Sequence, residues 1–175
     1  MGKASGGSRG RGSASTRSSA QTAPQAPSSA IRHLGDVGEG AFLHKALSLG
    51  FTVAFPFGHV HRYDFIVESG QNLWRVQVKT GGIMRHGLYH LSACRRADGA
   101  VHPYNESEID FLAAFILPEQ TWYILPAHQV AGHSSLLFRS TEHPRIPSKR
   151  HPIRDLYAYY REAWHLLRQP DGLTF

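Results

Sequence analysis

The centre of the chain contains two runs in which apolar and polar residues alternate, separated by a short polar turn. The runs are residues 63–68 and 73–79, and Ser69-Gly-Gln-Asn72 lies between them. Period-two alternation predicts β-strands, and a two-residue Gly-Gln connection predicts a hairpin with positive φ at its glycine. This turn pairs Ser69 with Asn72, and a four-residue loop that pairs Glu68 with Leu73 gives the same register.

In that register Asp64 lies opposite Gln77, and Arg62 lies opposite Lys79. Directly opposed residues of an antiparallel pair project to the same face, so Asp64, Gln77 and Lys79 are predicted to share one face of the sheet. A slip of one residue would send Asp64 to the other face, which makes the register testable. The competing interpretation is an ordinary ion pair on a solvated sheet face, between Asp64 and Arg62, Arg75 or Lys79.

The remaining apolar pattern predicts an α/β order of elements. An apolar stripe followed by Gly50 predicts a helix over residues 30–49. Further strands are predicted over 51–55, around Tyr89, Leu91 and Ala93, in the strongly apolar run 108–117, and over 122–125. Apolar residues at i, i+3, i+4, i+7 and i+11 from Leu156 predict a C-terminal amphipathic helix that begins near Asp155.

The order and spacing of several of these residues resemble the sequence motifs of a known nuclease superfamily. Asp64, Gln77-x-Lys79 and the upstream Gly35-Asp-Val-Gly-Glu39 are similar to the PD-(D/E)xK motifs, in the branch that includes group I intron-encoded homing endonucleases. That branch also uses glutamine at the first position of the final motif. The resemblance extends from about Leu34 to Pro126. It implies a restriction-endonuclease-like α/β core, with a mixed sheet of about six strands flanked by helices.

The resemblance implies a metal-dependent DNA endonuclease, in which water activated by Mg²⁺, or alternatively by Mn²⁺, attacks a backbone phosphate of double-stranded DNA. A homing-type enzyme is the first expectation. A catalytically inactive DNA-binding module of nuclease fold and a Holliday-junction or other structure-specific nuclease are the alternatives. Because cutting both strands usually takes two active sites and this domain carries one, a homodimer or homotetramer is expected.

By the same resemblance, Asp64 anchors the metal ion, Glu39 is an auxiliary acid near it, and the backbone carbonyl of Val78 is a further ligand. Mg²⁺ prefers a few oxygen ligands of this kind. Lys79 would orient the attacking water or stabilise charge on the phosphate. Gln77 contributes a neutral carbonyl where most of the superfamily has a carboxylate. Two of these residues also have an interpretation without a role in catalysis. Gln77 would then be an ordinary polar strand residue, and Glu39 would be an acid near a helix N-terminus, where the helix dipole favours negative charge.

A second group of residues is expected to surround this site. Asp110, inside an apolar run, predicts a paired buried carboxylate that supports the site indirectly, and Tyr104 predicts packing or a hydrogen bond against it. Basic and histidine side chains predict the DNA contacts, with a plain solvated loop as the alternative for the last three. These residues are His61, Arg75, Arg145, Lys149 and Arg150.

Composition adds limits on organisation and location. Apart from Met1, residues 1–29 contain no acid and no large apolar side chain, which predicts a disordered basic tail before one domain over 30–175. That tail holds four basic residues, so most of the net charge of +6 lies outside the domain. Cys94 is the only cysteine, which excludes an intrachain disulfide. No run of eighteen apolar residues occurs, so a soluble, cytoplasmic protein without membrane contact is expected.

Overall fold

The computed structural model describes residues 28–58, 60–142 and 156–168. Within these ranges the chain forms one α-helix and ten strands, joined by short 3₁₀ turns. The helix α1 is Ser28–Ser48, and the strands are β1 Thr52–Ala54, β2 Phe65–Ser69, β3 Asn72–Gly81, β4 Met84–Arg85, β5 Leu88–Ser92, β6 Cys94–Ala97, β7 Ala100–Pro103, β8 Phe111–Ile116, β9 Thr121–Pro126 and β10 Ser135–Arg139.

The main sheet has five strands in the order β1-β2-β3-β8-β9. The β3–β8 pair is parallel and the other pairs are antiparallel, so the sheet is mixed as predicted. The α/β fold class is therefore confirmed. The predicted strand around Leu91 exists as β5, but it belongs to a separate three-stranded sheet with β10 and β4. The short β6–β7 hairpin and β10 were not predicted from the sequence.

Helix α1 covers one face of the main sheet, as its apolar stripe predicts. Phe42 and Ala46 are fully buried against residues of the sheet that include Val76 and Val78. Gly50 has a φ of +84°, the left-handed conformation that commonly follows a helix C-terminus. The predicted helix is thus confirmed, and it begins two residues earlier than expected.

Two hydrophobic cores lie on the two faces of the main sheet. The first lies between the sheet and α1, where the ring of Phe115 stacks on Trp122 at 4.3 Å between centroids. The second lies between the other face and the strands β5 and β10, and includes Leu91, Leu112 and Phe138. Because both faces are covered, β8 is buried at every position, which explains its continuous apolar run.

The prediction of a C-terminal amphipathic helix is wrong for residues 156–168, the part of that segment that the structure describes. Residues 156–168 instead form the 3₁₀ turns Ala158–Tyr160 and Trp164–Leu167. Between these turns the backbone reaches the edge of β9, where Arg161 forms a bridge with Tyr123 and the N–H of Glu162 donates to Trp122 O at 2.8 Å. Glu162 also has a positive φ of 49°. Of the residues in the apolar spacing, Ala163 and Leu167 are buried in the core, whereas Leu156 and Tyr159 are exposed, so the spacing does not define one buried face.

Some predictions lie outside the described residues. They concern most of the predicted basic tail, up to residue 27, and the basic loop with Arg145, Lys149 and Arg150. Ser28 and Ser29, placed in the tail by composition, belong to α1. Within the ranges that the structure describes, no helix is long and apolar enough to cross a membrane.

Candidate active site

The predicted hairpin register is confirmed. β2 and β3 pair from Ser69 with Asn72 to Phe65 with Val76, joined by a two-residue turn in which Gly70 has a φ of 62°. Asp64 lies just beyond the paired residues, and its N–H donates to Val76 O at 2.9 Å, one residue away from Gln77, the residue that the register would place opposite it. The ladder ends there, although β3 runs on to Gly81. The end of β3 therefore has no β2 partner along one edge.

Asp64 fills this open edge with its side chain. The backbone N–H of Val78 donates to Asp64 Oδ2 at 2.8 Å, in the place where a longer β2 would supply a carbonyl. The side-chain amide Nε2 of Gln77 donates to the same oxygen at 2.5 Å and to Val78 O at 3.0 Å. The Gln77 amide thus lies between the carboxylate of Asp64 and the carbonyl of Val78, which are two of the predicted metal ligands.

Lys79 lies beside this cluster in a half-buried position. Its ammonium Nζ is 5.3 Å from the centroid of the Tyr104 ring, and Tyr104 is only 3% exposed. Burial lowers the pKa of Lys79, against the opposing attraction of Asp64, Cys94 and Glu39. Burial, followed by the charge of Asp64, raises the pKa of Tyr104. Tyr104 therefore remains neutral and presents an aromatic face to the lysine.

Glu39 reaches the cluster from α1, on the opposite face of the sheet. Partial loss of water raises the pKa of Glu39, and the charges of Asp64 and Asp36 raise it further. Burial likewise raises the pKa of Asp64, although the Val78 N–H, Lys79 and Gln77 stabilise its charged form. Two carboxyl groups with raised pKa values lie close enough to repel each other, which is the state that a bound cation relieves.

A close helix–strand contact determines where Glu39 lies. Gly38 is buried in α1 against Thr80 of β3, and a Cβ atom on Gly38 would lie 1.7 Å from Thr80 Oγ1. The hydroxyl oxygen of Thr80 is buried and has no hydrogen-bond partner among the described residues. Glycine is therefore required for α1 to approach β3 this closely, and the next residue, Glu39, reaches the open edge.

The carboxylates lie in a cleft of about 310 Å³. Its lining combines Glu39 and Asp64 with the connection between β1 and β2, contributed by Phe55, Pro56, Gly58, His61 and Tyr63. His61 was predicted to contact DNA. Its Nε2 lies 3.1 Å from Phe57 O, and because a carbonyl only accepts, this nitrogen is the donor. The ring of His61 also lies 5.3 Å from that of Tyr63.

Asp110 and Arg75 form a network of their own. Asp110 Oδ2 accepts the backbone N–H of Arg75 at 2.7 Å and Nε at 3.0 Å, and Oδ1 accepts Nη2 at 2.8 Å. The guanidinium also donates to the carbonyls of Ser107 and Glu106. The predicted pairing of Asp110 is thus present, with Arg75 as partner. These bonds attach Arg75 to the segment that precedes β8, and its contact with DNA stays a prediction.

The predicted register also placed Arg62 opposite Lys79. This pair is absent from the ladder, because β2 begins only at Phe65. Arg62 instead forms a 3.9 Å ion pair with Glu108. Sequence reasoning also missed Cys94, which opens β6 and is close enough to Lys79 to affect its pKa. No local sequence pattern predicts that Cys94 lies near Lys79, because only the tertiary fold brings β6 to the site.

The donor groups present fit a hard divalent cation. Among the described residues, no group of three or more His, Cys, Asp or Glu side chains is arranged so that these side chains alone could hold a metal ion. The candidate set is instead two carboxylates, Asp64 and Glu39, completed by the carbonyl of Val78 and the amide of Gln77. An all-oxygen set with few charged ligands suits Mg²⁺ or Mn²⁺, which retain several water ligands, better than the nitrogen and sulfur sets typical of zinc.

A mixed sheet with an acid at the end of one strand, Gln-x-Lys on its neighbour and a helix-borne acid beside them defines a class of nuclease-like folds. The sequence profile of the PD-(D/E)XK endonuclease family matches residues 30–167. The chain belongs to this family, and the predicted resemblance is confirmed.

Among solved structures, the chain is similar to a bacterial homing endonuclease, I-Ssp6803I. The TM-score is 0.63 with 24% sequence identity, over 78% of this chain and 91% of that chain. This likeness shows a shared fold. A comparison with curated proteins found no match.

Proposed function

We propose that this protein is a DNA endonuclease of homing type that hydrolyses phosphodiester bonds in double-stranded DNA with Mg²⁺, or Mn²⁺, as cofactor. The observation that carries the proposal is the convergence of Asp64, Glu39, Val78 and Lys79 at the open edge of β3. Membership of an endonuclease family supports hydrolysis, and the shared fold with a homing endonuclease supports a DNA substrate.

Asp64 and Glu39 would hold the ion together with the carbonyl oxygen of Val78. When bound, the ion would lower the pKa of water and stabilise negative charge on the phosphate. The protein contributes a preformed arrangement, since the Val78 N–H already orients the carboxylate of Asp64. The mutual repulsion of the two acids in the metal-free protein favours binding of a cation.

Lys79 would act on the water or on the phosphate through its Nζ atom. Because burial lowers its pKa, Lys79 releases a proton more readily than an exposed lysine does. In its charged form the same atom stabilises developing negative charge in a site that excludes part of the solvent. The ammonium of Lys79 lies over the ring of Tyr104, and this cation–π contact limits the positions that the ammonium can adopt.

The hydrogen bonds of the Gln77 side chain support one alternative function, that of a DNA-binding module without catalytic activity. Its amide nitrogen donates to both Asp64 and Val78, so as observed it satisfies two ligand atoms without a cation. Rotation of the terminal amide would present its oxygen instead, because the two ends of the group are nearly isosteric. Whether the protein cuts DNA therefore depends on whether a cation displaces this amide arrangement.

The experiment that tests the proposal compares cutting of supercoiled, linear and branched DNA in Mg²⁺, Mn²⁺ or EDTA. We expect metal-dependent cutting that Asp64→Asn and Lys79→Ala abolish. Asp98→Asn is the matched control, because Asp98 is an exposed carboxylate with a φ of 51° in the β6–β7 turn, a conformation that asparagine tolerates. DNA binding without cutting by the wild type would support the inactive module, and selective cutting of branched DNA would support a junction nuclease.

A second test replaces Gln77 by glutamate. The new carboxylate would lie against Asp64, so we expect Gln77→Glu to bind Mn²⁺ more tightly in calorimetry but to unfold at lower temperature in EDTA. Gln77→Met, which offers no oxygen, should lose affinity for the ion. If both variants bind Mn²⁺ like the wild type, Gln77 does not contact the ion and the proposed donor set is wrong.

We also propose that the active species is a homodimer or homotetramer, because cleavage of both DNA strands by one copy would require it to rebind in the opposite orientation. Analytical ultracentrifugation with and without DNA tests this. A monomer that cuts both strands in a single binding event would overturn it.

A further inference from the structure

The connection between β1 and β2 exposes three large apolar side chains beside the cleft. Phe57 is 99% exposed, Val60 is 79% exposed and Phe55 is 62% exposed. Single exposed apolar residues are common on protein surfaces, but a cluster within six positions at the rim of a charged cleft is typical of an interaction surface. We call residues 55–58 and 60–63 the aromatic loop.

The aromatic loop is held in a defined shape rather than lying free. The Nε2 hydrogen of His61 bonds to Phe57 O, and Gly58 adopts the left-handed φ of +90° that the turn needs. At its base the ring of Phe55 packs on that of Phe65 at 5.1 Å. These contacts fix the backbone of Phe57 while its side chain touches almost nothing. Because the backbone is already held and a phenylalanine side chain has only two χ angles, ordering the ring against a partner costs less conformational entropy than ordering a mobile loop.

The position of the aromatic loop relative to the carboxylates identifies the partner. Phe55, Gly58, His61 and Asp64 line one and the same cleft. A phosphate delivered to Asp64 would therefore bring the neighbouring nucleotides across this loop. Arg62, next to the apolar residues, keeps 45% of its side chain exposed beside its 3.9 Å ion pair with Glu108, so it is accessible to a polyanion. Aromatic rings interleaved with basic residues are typical of surfaces that stack on bases while binding phosphates.

We infer that Phe57 is a wedge that stacks on an unstacked base of the DNA next to the phosphate bound at the proposed metal site of Asp64 and Glu39. This inference rests on the proposed function and deepens it, because it defines the substrate as duplex DNA that is distorted at the cutting position. Apolar wedges inserted at a base step unstack it and kink the duplex. The distortion is easier at a mismatched pair, where less stacking and pairing is lost.

The test measures binding to a short duplex of arbitrary sequence, either fully paired or carrying one central mismatch next to 2-aminopurine. Binding is followed by fluorescence anisotropy in Ca²⁺, and a gel confirms that the strands stay intact. We expect the wild type to prefer the mismatched duplex and to raise the 2-aminopurine fluorescence. Phe57→Ala should weaken binding to the mismatched duplex by about 5- to 150-fold, the range that one stacked base contributes.

Two further variants make the result specific to stacking. Phe57→Trp keeps an aromatic face and should retain the preference. Leu73→Ala removes an equally apolar side chain, 64% exposed, at the far end of the β2–β3 hairpin, and should bind like the wild type. The dependence of affinity on salt should stay the same in all three variants, because none of them removes a phosphate contact. Since Phe57 is fully exposed, Phe57→Ala should also unfold at the wild-type temperature.

Each other outcome overturns a defined claim. If Phe57→Ala binds both duplexes like the wild type while the wild type still cuts DNA, the wedge is wrong and the nuclease proposal stands. If Phe57→Ala sediments as a smaller species than the wild type, the aromatic loop joins two copies of the chain instead. If the wild type binds neither duplex but cuts supercoiled DNA, the preference for a distorted duplex is wrong and the nuclease proposal stands. If it neither binds these duplexes nor binds or cuts supercoiled, linear or branched DNA, the proposed function fails, and the inference fails with it.

Discussion

The contact between Gly38 and Thr80 leads to a prediction in which neighbouring glycines of one helix respond with opposite sign. Replacing glycine by alanine inside a helix stabilises it by up to about 1 kcal/mol when the methyl group meets no obstacle. At Gly40, nothing lies within 4 Å of the new Cβ. Gly40→Ala should therefore raise the free energy of unfolding.

At Gly38 the same methyl group would lie 1.7 Å from Thr80 Oγ1, half of the 3.4 Å at which ordinary contact begins. Either Thr80 must leave its rotamer, which a β-branched strand residue resists, or α1 must move away from β3. Overpacking of this kind costs about 1–3 kcal/mol, and a chain of this size loses about 2–4 °C in melting temperature for each kcal/mol. Because Glu39 follows Gly38 directly, affinity for Mn²⁺ should fall as well.

The assay is a double-mutant cycle by thermal and urea denaturation, with Mn²⁺ calorimetry on each variant. Thr80→Ala removes the clashing oxygen and leaves Thr80 Cβ 3.1 Å from the new atom, a tight but tolerable approach. Gly38→Ala/Thr80→Ala should thus recover most of the stability and ion affinity, with a coupling of about 1–3 kcal/mol. Gly38→Ala/Thr80→Ser should be intermediate, because serine rotates more freely. If Gly38→Ala stabilises the protein as Gly40→Ala does, the close contact does not exist.

Three carboxylates yield further predictions. Burial raises the pKa of Asp64 in the folded protein, so the stability linked to its proton is present at low pH and is lost as the pH rises through the folded pKa. In EDTA, Asp64→Asn should therefore raise the melting temperature at neutral pH, with a gain that disappears below the ordinary pKa of 3.8. For Asp110, burial is outweighed by hydrogen bonds from its arginine partner that hold the pKa low, so its stabilisation is present above 3.8 and lost as the pH falls. Asp110→Asn should lower the melting temperature at neutral pH, and a pH dependence of the same sign for both variants would contradict the assignment. Glu162 accepts the backbone N–H of Trp122 at 2.8 Å and the indole of Trp164 at 3.0 Å. Glu162→Ala should cost about 1–3 kcal/mol in urea denaturation, and Glu162→Gln, which keeps an acceptor, should cost less.

The parts of the fold that were predictable are those whose information is local. The hairpin register follows from the alternation on both sides of Gly70, because one turn geometry fixes every pair beyond it. Helix α1 follows from its stripe and from Gly50, which supplies the stop. These signals need no knowledge of distant residues. They also bring Asp64 and Gln77 together, which is why the centre of the candidate site could be predicted.

The parts that were missed depend on contacts between distant segments. The C-terminal segment has helical spacing, but backbone bonds from Arg161 and Glu162 to the edge of β9 stabilise a different conformation. The predicted pairing of Asp110 had no partner assigned from the sequence, because Arg75 lies 35 positions away along the chain. Periodicity reports which face is buried and not what it is buried against.

The unequal lengths of β2 and β3 connect the fold to the candidate chemistry. Because the ladder stops at Phe65, the N–H and carbonyl of Val78 face the cleft instead of a neighbouring strand. An open strand edge is normally a liability, since it can pair with another chain. Here the side chains of Asp64 and Gln77 satisfy both groups of Val78 in the metal-free protein. A neutral amide at position 77 can do this without adding a third carboxylate to a pair that already repels, so Gln77 stabilises the metal-free site. Under the proposed function, its effect on catalysis would depend on how readily its amide releases the carbonyl of Val78 to a cation.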